Sequence, residues 1–276
     1  MNQTPETIDI GAYLKRIGYQ GSRAPTLETL RALHALHAAA ISFENLDPLL
    51  KRRIHLDAAS LERKLVHDKR GGYCFEQNGL FAAALTSLGF DVTGLAARVY
   101  IKQTPGRIRR SHMLLLVKLP EGPYIADVGF GAWGLGAPLR LDDEREQETP
   151  HGPYRVIRGN DDFEQQTLVD GEWTTLYRFT LEEQLPQDYE VCNWYCATHP
   201  ESGFTTSLMV ARVPPGKRLG LINNRFSIHY PGGTTERREL KGANEIAAVL
   251  ENEFAISLPG PREELLAALA KLPQSA

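Results

Sequence analysis

Arg70-Gly71-Gly72-Tyr73-Cys74-Phe75-Glu76-Gln77-Asn78-Gly79-Leu80-Phe81 sets two adjacent glycines ahead of a cysteine and runs on into a helical stretch through Ala82, Ala83, Ala84, Leu85 and Leu88. Paired glycines permit a tight turn and leave room for another molecule to approach the backbone. A cysteine at the start of a helix sits beside unpaired N–H groups and the positive end of the helix dipole. That environment favours the thiolate, the reactive form of the side chain. Taken alone, a single cysteine is more often a buried structural residue than a nucleophile. The decision between the two rests on what the rest of the chain supplies.

Outward toward the N-terminus, residues 9–90 read as helical. Ile10, Tyr13, Leu14 and Ile17 follow the i, i+3, i+4, i+7 spacing of one helical face. Thr26 is placed to cap a second helix whose apolar stripe is Leu27, Leu30, Leu33, Leu36 and Ala40. A third begins near residues 58–60, with Leu61, Leu65 and Val66 inward, and the fourth opens at Cys74 and ends near Gly89. Toward the C-terminus the pattern changes to strands, at 92–100, 112–119 and 124–128, the last two separated by the turn Pro120-Glu121-Gly122-Pro123. Their succession predicts an antiparallel meander. Further strands are expected at 154–158, 165–168 and 173–180, then a short helix at 188–195. Strands at 206–213, 216–223 and 225–230 and helices at 245–254 and 262–272 complete the chain. The run Asp142–Glu148 reads as a solvated charged loop. Helices first, strands second and a mixed tail give an α+β class.

Composition narrows the function. With 276 residues, 42% hydrophobic and 24% charged, the chain is an ordinary globular protein of two or three subdomains. A net charge of −3 gives no bulk attraction to nucleic acid or anionic membrane. No apolar run has the length of a membrane span, and Met1-Asn2-Gln3-Thr4-Pro5-Glu6 lacks the basic-then-apolar order of a signal peptide. Three cysteines are too few for a disulfide framework, which points to the cytoplasm.

Three residues then converge on one chemistry. Cys74 opens a helix, His112 starts an apolar strand, and Asp127 ends the next strand. Simple hairpin register does not set His112 opposite Asp127, so their contact stays open. If they meet, His112 takes the thiol proton and Asp127 orients and stabilises the imidazolium, a set suited to acyl transfer. The plainer alternative is a buried cysteine, a strand-end histidine and a turn aspartate. Cys192, Cys196 and His199 have a C-x3-C-x2-H spacing that is not a usual zinc pattern and lack an apparent fourth ligand, so no metal is expected. Arg107, Arg109 and Arg110 precede His112 as a solvated basic turn or a partner for phosphates. Glu44 and Arg70 are a possible buried ion pair holding the Cys74 loop.

The segment Arg70–Asn78 closely resembles the RGGxCxExN active-site segment of the arylamine N-acetyltransferases. Ile41-Ser42-Phe43-Glu44-Asn45-Leu46 resembles that family's IPFENL segment, with Ser42 in place of proline. Ser111-His112-Met113, Asp127-Val128-Gly129-Phe130-Gly131 and His199-Pro200-Glu201-Ser202-Gly203-Phe204 resemble its histidine, aspartate and HPxSxF segments, in order. The likeness covers residues 10–212 and fades over the last sixty. It implies a helical bundle (1–90), a central antiparallel β-barrel (91–205) and a C-terminal α/β lid (206–276) around a cysteine-protease-like core. It implies Cys74, His112 and Asp127 as the triad, acetyl-CoA as donor and an aromatic amine or hydrazine as acceptor, by ping-pong transfer. On the same basis Ser111, Gly129 and Gly131 are expected at the CoA, and Phe43, Val99, Phe130 and Phe204 around the acceptor. A monomer or homodimer with no nucleic-acid or membrane partner is expected. An amide synthase of the same family, a papain- or transglutaminase-like hydrolase, and a non-catalytic binding protein are the rival readings.

Overall fold

Asp9 and Thr26 start the first two helices by accepting the backbone N–H of Ala12 (3.0 Å) and Thr29 (3.3 Å), donors that helix geometry leaves open. They open α1 (Ile10–Ile17) and α2 (Leu27–Ala40). The structure, a computed structural model, describes residues 7–101, 108–231 and 233–273. The first six residues, on which the signal-peptide reading rests, and Arg107 lie outside the described residues. β1 (Phe43–Glu44), α3 (Leu46–Leu49) and α4 (Ala58–Glu62) follow, α4 widening into a π-helical turn over Arg63–His67 before α5 (Cys74–Ser87). Neither β1 nor α3 is long enough to leave a periodic signature in the sequence.

Antiparallel strands come next: β2 (Asp91–Val99), β3 (Arg110–Leu119), β4 (Gly122–Ala126), β5 (Leu139–Arg140), β6 (Gln147–Thr149), β7 (Gly152–Arg158), β8 (Phe163–Val169) and β9 (Glu172–Phe179). They form one sheet in the order β5-β4-β3-β2-β9-β8-β7-β6. The two edges meet through one side chain. Gln147 accepts from Arg140 N (2.7 Å) and donates to Arg140 O (2.9 Å), so the sheet curls into a nearly closed barrel. The run 142–148, read as a solvated loop, therefore carries the clasp of the barrel. The successive side chains of β3 and β4 divide between two cores, as strand alternation requires. Leu114, Leu116 and Ile125 fill the barrel with Tyr154, Val156 and Tyr177, while Met113, Leu115, Val117 and Ala126 pack on Leu80, Phe81 and Ala84 of α5.

The rest of the chain is α6 (Pro186–Thr198), α7 (Gly203–Thr206), β10 (Met209–Arg212), β11 (Arg218–Ile222), β12 (Arg225–His229), β13 (Thr235–Glu239), α8 (Gly242–Asn252) and α9 (Arg262–Leu269). The strand expected from residue 206 starts instead with the end of α7, which Ser202 caps. β13 carries Glu236, Arg237, Arg238 and Glu239, all exposed, so it has no apolar alternation to reveal it. Strand order in the second sheet is β1-β10-β11-β12-β13, which draws Phe43 and Glu44 out of the helical region and pairs them with Ala211 and Val210. Ile246, Leu250, Phe254, Leu265 and Leu269 cover this sheet and form a third core with Val210, Leu219, Leu221 and Phe226. The α+β class holds. Among the described residues no helix is long and apolar enough to cross a membrane.

Candidate active site

Cys74 is the first residue of α5, and a buried set of charges holds that helix start. Arg70 donates to Glu44 Oε1 through Nη2 (2.7 Å) and Nε (3.0 Å) and reaches Asp47 at 3.2 Å. Lys64 lies 2.6 Å from both Asp47 and Glu76. The other oxygen of Glu76 accepts Tyr73 N at 3.1 Å, capping α5. The expected Glu44–Arg70 pair is thus present, but as two of five charges. Burial raises the pKa of Glu76 against the pull of Lys64, and burial would lower that of Lys64 but for Glu76, Glu44 and Asp47, which hold it up. Gly71 threads beneath Ser42, where a Cβ would come within 2.1 Å of the Ser42 carbonyl oxygen. Its smallness is spent on chain packing, not on a ligand.

The second strand pair brings His112 and Asp127 together. Leu115 pairs with Ala126, so the same register sets Asp127 opposite Leu114, a diagonal neighbour of His112 on the barrel-facing side. His112 Nε2 lies 2.7 Å from Asp127 Oδ2, with both side chains buried. Asp127 Oδ1 accepts from Asn78 Nδ2 and Gly129 N, each at 2.9 Å, and Oδ2 accepts the Tyr177 hydroxyl at 3.1 Å. Burial alone would raise the Asp127 pKa, but His112, Asn78 and Gly129 hold it below the usual range. The register of β2 and β3 shifts after Ala97↔His112 to Arg98↔Arg110, leaving Ser111 as the extra residue of a bulge. The Ser111 carbonyl accepts the Cys74 thiol at 3.7 Å.

That thiol corrects one expectation. Burial pushes the Cys74 pKa well above its ordinary value, with Cys196 adding to the rise, and the N–H groups of Met113 and Phe75 offset only part of it. The helix start by itself does not make a thiolate.

Phe130 meets the His112 ring edge-on at 4.8 Å and Tyr177 at 4.9 Å. Phe43 and Phe204 face one another at 6.3 Å, and Tyr73 touches Phe204 at 5.2 Å. Val99 pairs with Tyr177 at the end of β2 and is half-buried. A Cβ on Gly129 would come within 2.8 Å of Cys74 Cα and of Asn78 Nδ2, so this glycine lets the aspartate loop pack on α5. Gly131, at φ +62°, lies with Phe43 carbons 3.7 Å from where its Cβ would be. Arg109 and Arg110 are half-exposed and paired with Glu201 and Glu182, each at 3.3 Å. Cys192 donates to Arg110 O, Cys196 is buried, and His199 Nδ1 accepts Glu201 N; among the described residues no group of side chains could hold a metal.

Sequence reasoning missed Tyr177, Asp47 and Lys64, and it gave Asn78 no role although the residue stood in the quoted segment. Ser42, the departure from the family's proline, donates its hydroxyl to the Phe254 carbonyl at 2.5 Å, tying the two ends of the chain.

A profile of the family described as N-acetyltransferase matches residues 26–263. Arylamine N-acetyltransferase of Escherichia coli is 44% identical over 247 residues, covering 89% of this chain and 88% of that protein. The Salmonella typhimurium arylamine N-acetyltransferase / N-hydroxyarylamine O-acetyltransferase is 40% identical, covering 91% and 90%. Among solved structures, the Mycobacterium marinum arylamine N-acetyltransferase in complex with CoA matches with a TM-score of 0.92 at 40% identity, over 96% of this chain and 99% of that one. The buried cysteine, histidine and aspartate and the fold that holds them have the same meaning as these likenesses: the chain belongs to the arylamine N-acetyltransferase family.

Proposed function

We propose that this acyltransferase moves the acetyl group of acetyl-CoA to an arylamine, arylhydroxylamine or hydrazine in two steps through Cys74. His112, whose Nε2 is held by Asp127, has Nδ1 left to take the Cys74 proton. The sulfur attacks the acetyl carbonyl, a C–S bond forms, and CoA leaves as its thiol with the proton from His112. The amine then attacks the acetyl group on Cys74, His112 takes its proton, and the cysteine is released. Nearly balanced thioester exchange makes the first step reversible. The backbone N–H of Cys74, at the open end of α5, is the proposed oxyanion donor. Phe43, Phe130 and Phe204 supply apolar walls that suit an aromatic acceptor and exclude the water a hydrolase would need. For CoA we retain Ser111 and Gly131 beside the thiol, while Gly129 packs the aspartate loop on α5, and Val99 is kept beside the acceptor. Arg109 and Arg110 could serve CoA phosphates by giving up surface pairs that are worth only about 0–1 kcal/mol.

The observation that carries this reading is the 2.7 Å contact of buried His112 with Asp127 at the bulge whose carbonyl holds the Cys74 thiol. Residues 206–276 are proposed as a lid over a three-part chain, supported by three separate apolar cores, although α6 packs into the first. A cytoplasmic setting suits three cysteines that are all free thiols. Incubation with acetyl-CoA and no amine should add one acetyl group by intact mass, absent in Cys74→Ala. An unmodified wild-type protein alongside peptide cleavage would overturn the proposal.

A further inference from the structure

Behind the aspartate lies a histidine that the two-step scheme does not use. His34, in the third turn of α2, is fully buried. Its Nε2 accepts the backbone N–H of Asp127 at 3.2 Å, and Phe81 meets its ring edge-on at 5.9 Å. The need for that acceptor follows from the sheet. Pairing of β3 with β4 ends at Leu115↔Ala126, so Asp127, one residue further, has no ladder partner for its own N–H. A buried N–H left without an acceptor is costly, and a side chain from another element has to supply one.

Nε2 can accept only while it carries no proton, which places the ring proton of a neutral histidine on Nδ1. Burial keeps the ring neutral, holding the pKa down to about 4 despite Asp127 beside it. The other titratable groups around His34 are His37 on the same helix and His151 between β6 and β7. Among the described residues Nδ1 meets no partner at full hydrogen-bond geometry, although the Gly136 backbone acts on the ring. A core-filling role alone would favour an apolar residue at such a position, because the unpaired donor costs free energy. The contact to Asp127 is what offsets that cost.

We propose that His34 is a positioning residue for the reacting carboxylate. Neutral, Nδ1-protonated His34 holds the Asp127 main chain and thereby fixes the Oδ2–Nε2 alignment through which His112 takes the Cys74 proton. The proposal rests on the reading of Cys74, His112 and Asp127 as the reacting set. His34 touches neither donor nor acceptor and acts only through Asp127.

The test compares His34→Leu, which fills similar space without an acceptor, with His34→Gln, whose Oε1 can accept in place of Nε2. The readout is the iodoacetamide alkylation rate of Cys74 across pH 5–10, taken with a thermal melt of each variant. It needs neither CoA nor amine, so failure of the transferase reading in the acetyl-CoA mass experiment is distinguishable from failure here. At neutral pH the leucine variant should alkylate about tenfold more slowly, the scale set by one lost hydrogen bond. Its profile should shift toward alkaline pH, and glutamine should restore the rate to within about threefold of wild type. A leucine variant that melts earlier but keeps the wild-type profile overturns the proposal. Should the leucine variant fail to fold, ¹⁵N-histidine NMR of the wild-type protein decides. A His34 ring protonated only on Nδ1 at pH 7 supports the proposal, and a proton on Nε2 overturns it.

Discussion

The Asn78 side chain serves Met113 O at 2.7 Å, Asp127 Oδ1 at 2.9 Å and Val128 N at 3.0 Å together, so an alanine there strips partners from three buried groups. Asp127 Oδ1 keeps Gly129 N, so two groups are left unsatisfied, and at about 1–3 kcal/mol for each, Asn78→Ala should cost at least ~2 kcal/mol in urea unfolding. Acetylation of Cys74 should fall with it. A second expectation concerns the thiol. Since burial opposes ionisation of Cys74, the thiolate has to come from proton transfer to His112 against the charge of Asp127. Wild-type Cys74 should therefore alkylate readily at pH 7, while Asp127→Asn should react appreciably only well above the free-thiol value of about 8.5. Equal profiles for the two proteins would show that the carboxylate does not stabilise the ion pair. At this scale the sequence disclosed Cys74, His112 and Asp127 because residue type limits which groups can do acyl chemistry. Tyr177 stayed hidden because a hydroxyl on a strand reads as an ordinary barrel residue until the aspartate is seen beside it.

The start of α5 is held by five charges rather than by one pair, and that changes what substitution should do. Arg70→Met would leave Glu44 and Asp47 buried with Lys64 as their remaining cation. Breaking a buried pair in this way costs about 3–5 kcal/mol, readable as a lower denaturation midpoint. Exchanging Glu44 and Arg70 for one another should not restore it, because Asp47, 3.2 Å from Arg70, would then face a carboxylate. The double variant regaining wild-type stability would mean that Asp47 and Lys64 are bystanders. Gly129 separates two roles. Its Cβ would strike the Cys74 backbone, so Gly129→Ala should slow acetylation of Cys74 at least about tenfold. Inhibition by free CoA should stay within about threefold of wild type. The reverse pattern would give this glycine the ligand-facing role that the sequence suggests. The starts of α2 and α5 and the longer strands were legible because periodicity and chain-entry signals are local. β1 and the reasons for the glycines were not, since each depends on a partner far along the chain, and β6 was not because Gln147, Glu148 and Thr149 carry no apolar alternation.

The whole molecule keeps two neutral histidines in its first core, and they set a pH limit on stability. Burial holds His34 at about 4 and His37 at about 3, both below the ordinary 6.5. The unfolded chain therefore binds more protons than the folded one between pH 6.5 and about 3. Their contribution is complete above pH 6.5 and is lost as pH falls, on the order of 3 kcal/mol or more for each ring. Urea midpoints should drop steadily from pH 6.5 to pH 4, and His37→Gln should flatten that slope. A midpoint independent of pH over this range would mean that both rings are already charged.

One arrangement also bears on when the protein becomes active as it is made. Phe43 and Glu44 pair with Ala211 and Val210, Gly72 hydrogen-bonds across Ser42 and Glu44, and Ser42 is tied to Phe254. A ribosome delivers the N-terminal part first, so Cys74 leaves the exit tunnel long before the strand and carbonyl that close around its loop. The nascent chain should expose a bare thiol with no acetyl-transfer chemistry until nearly its whole length has emerged. Stalled chains of increasing length should accept acetyl from acetyl-CoA only once residue 254 is clear of the tunnel. Such an order would keep an unfinished chain from consuming acetyl-CoA.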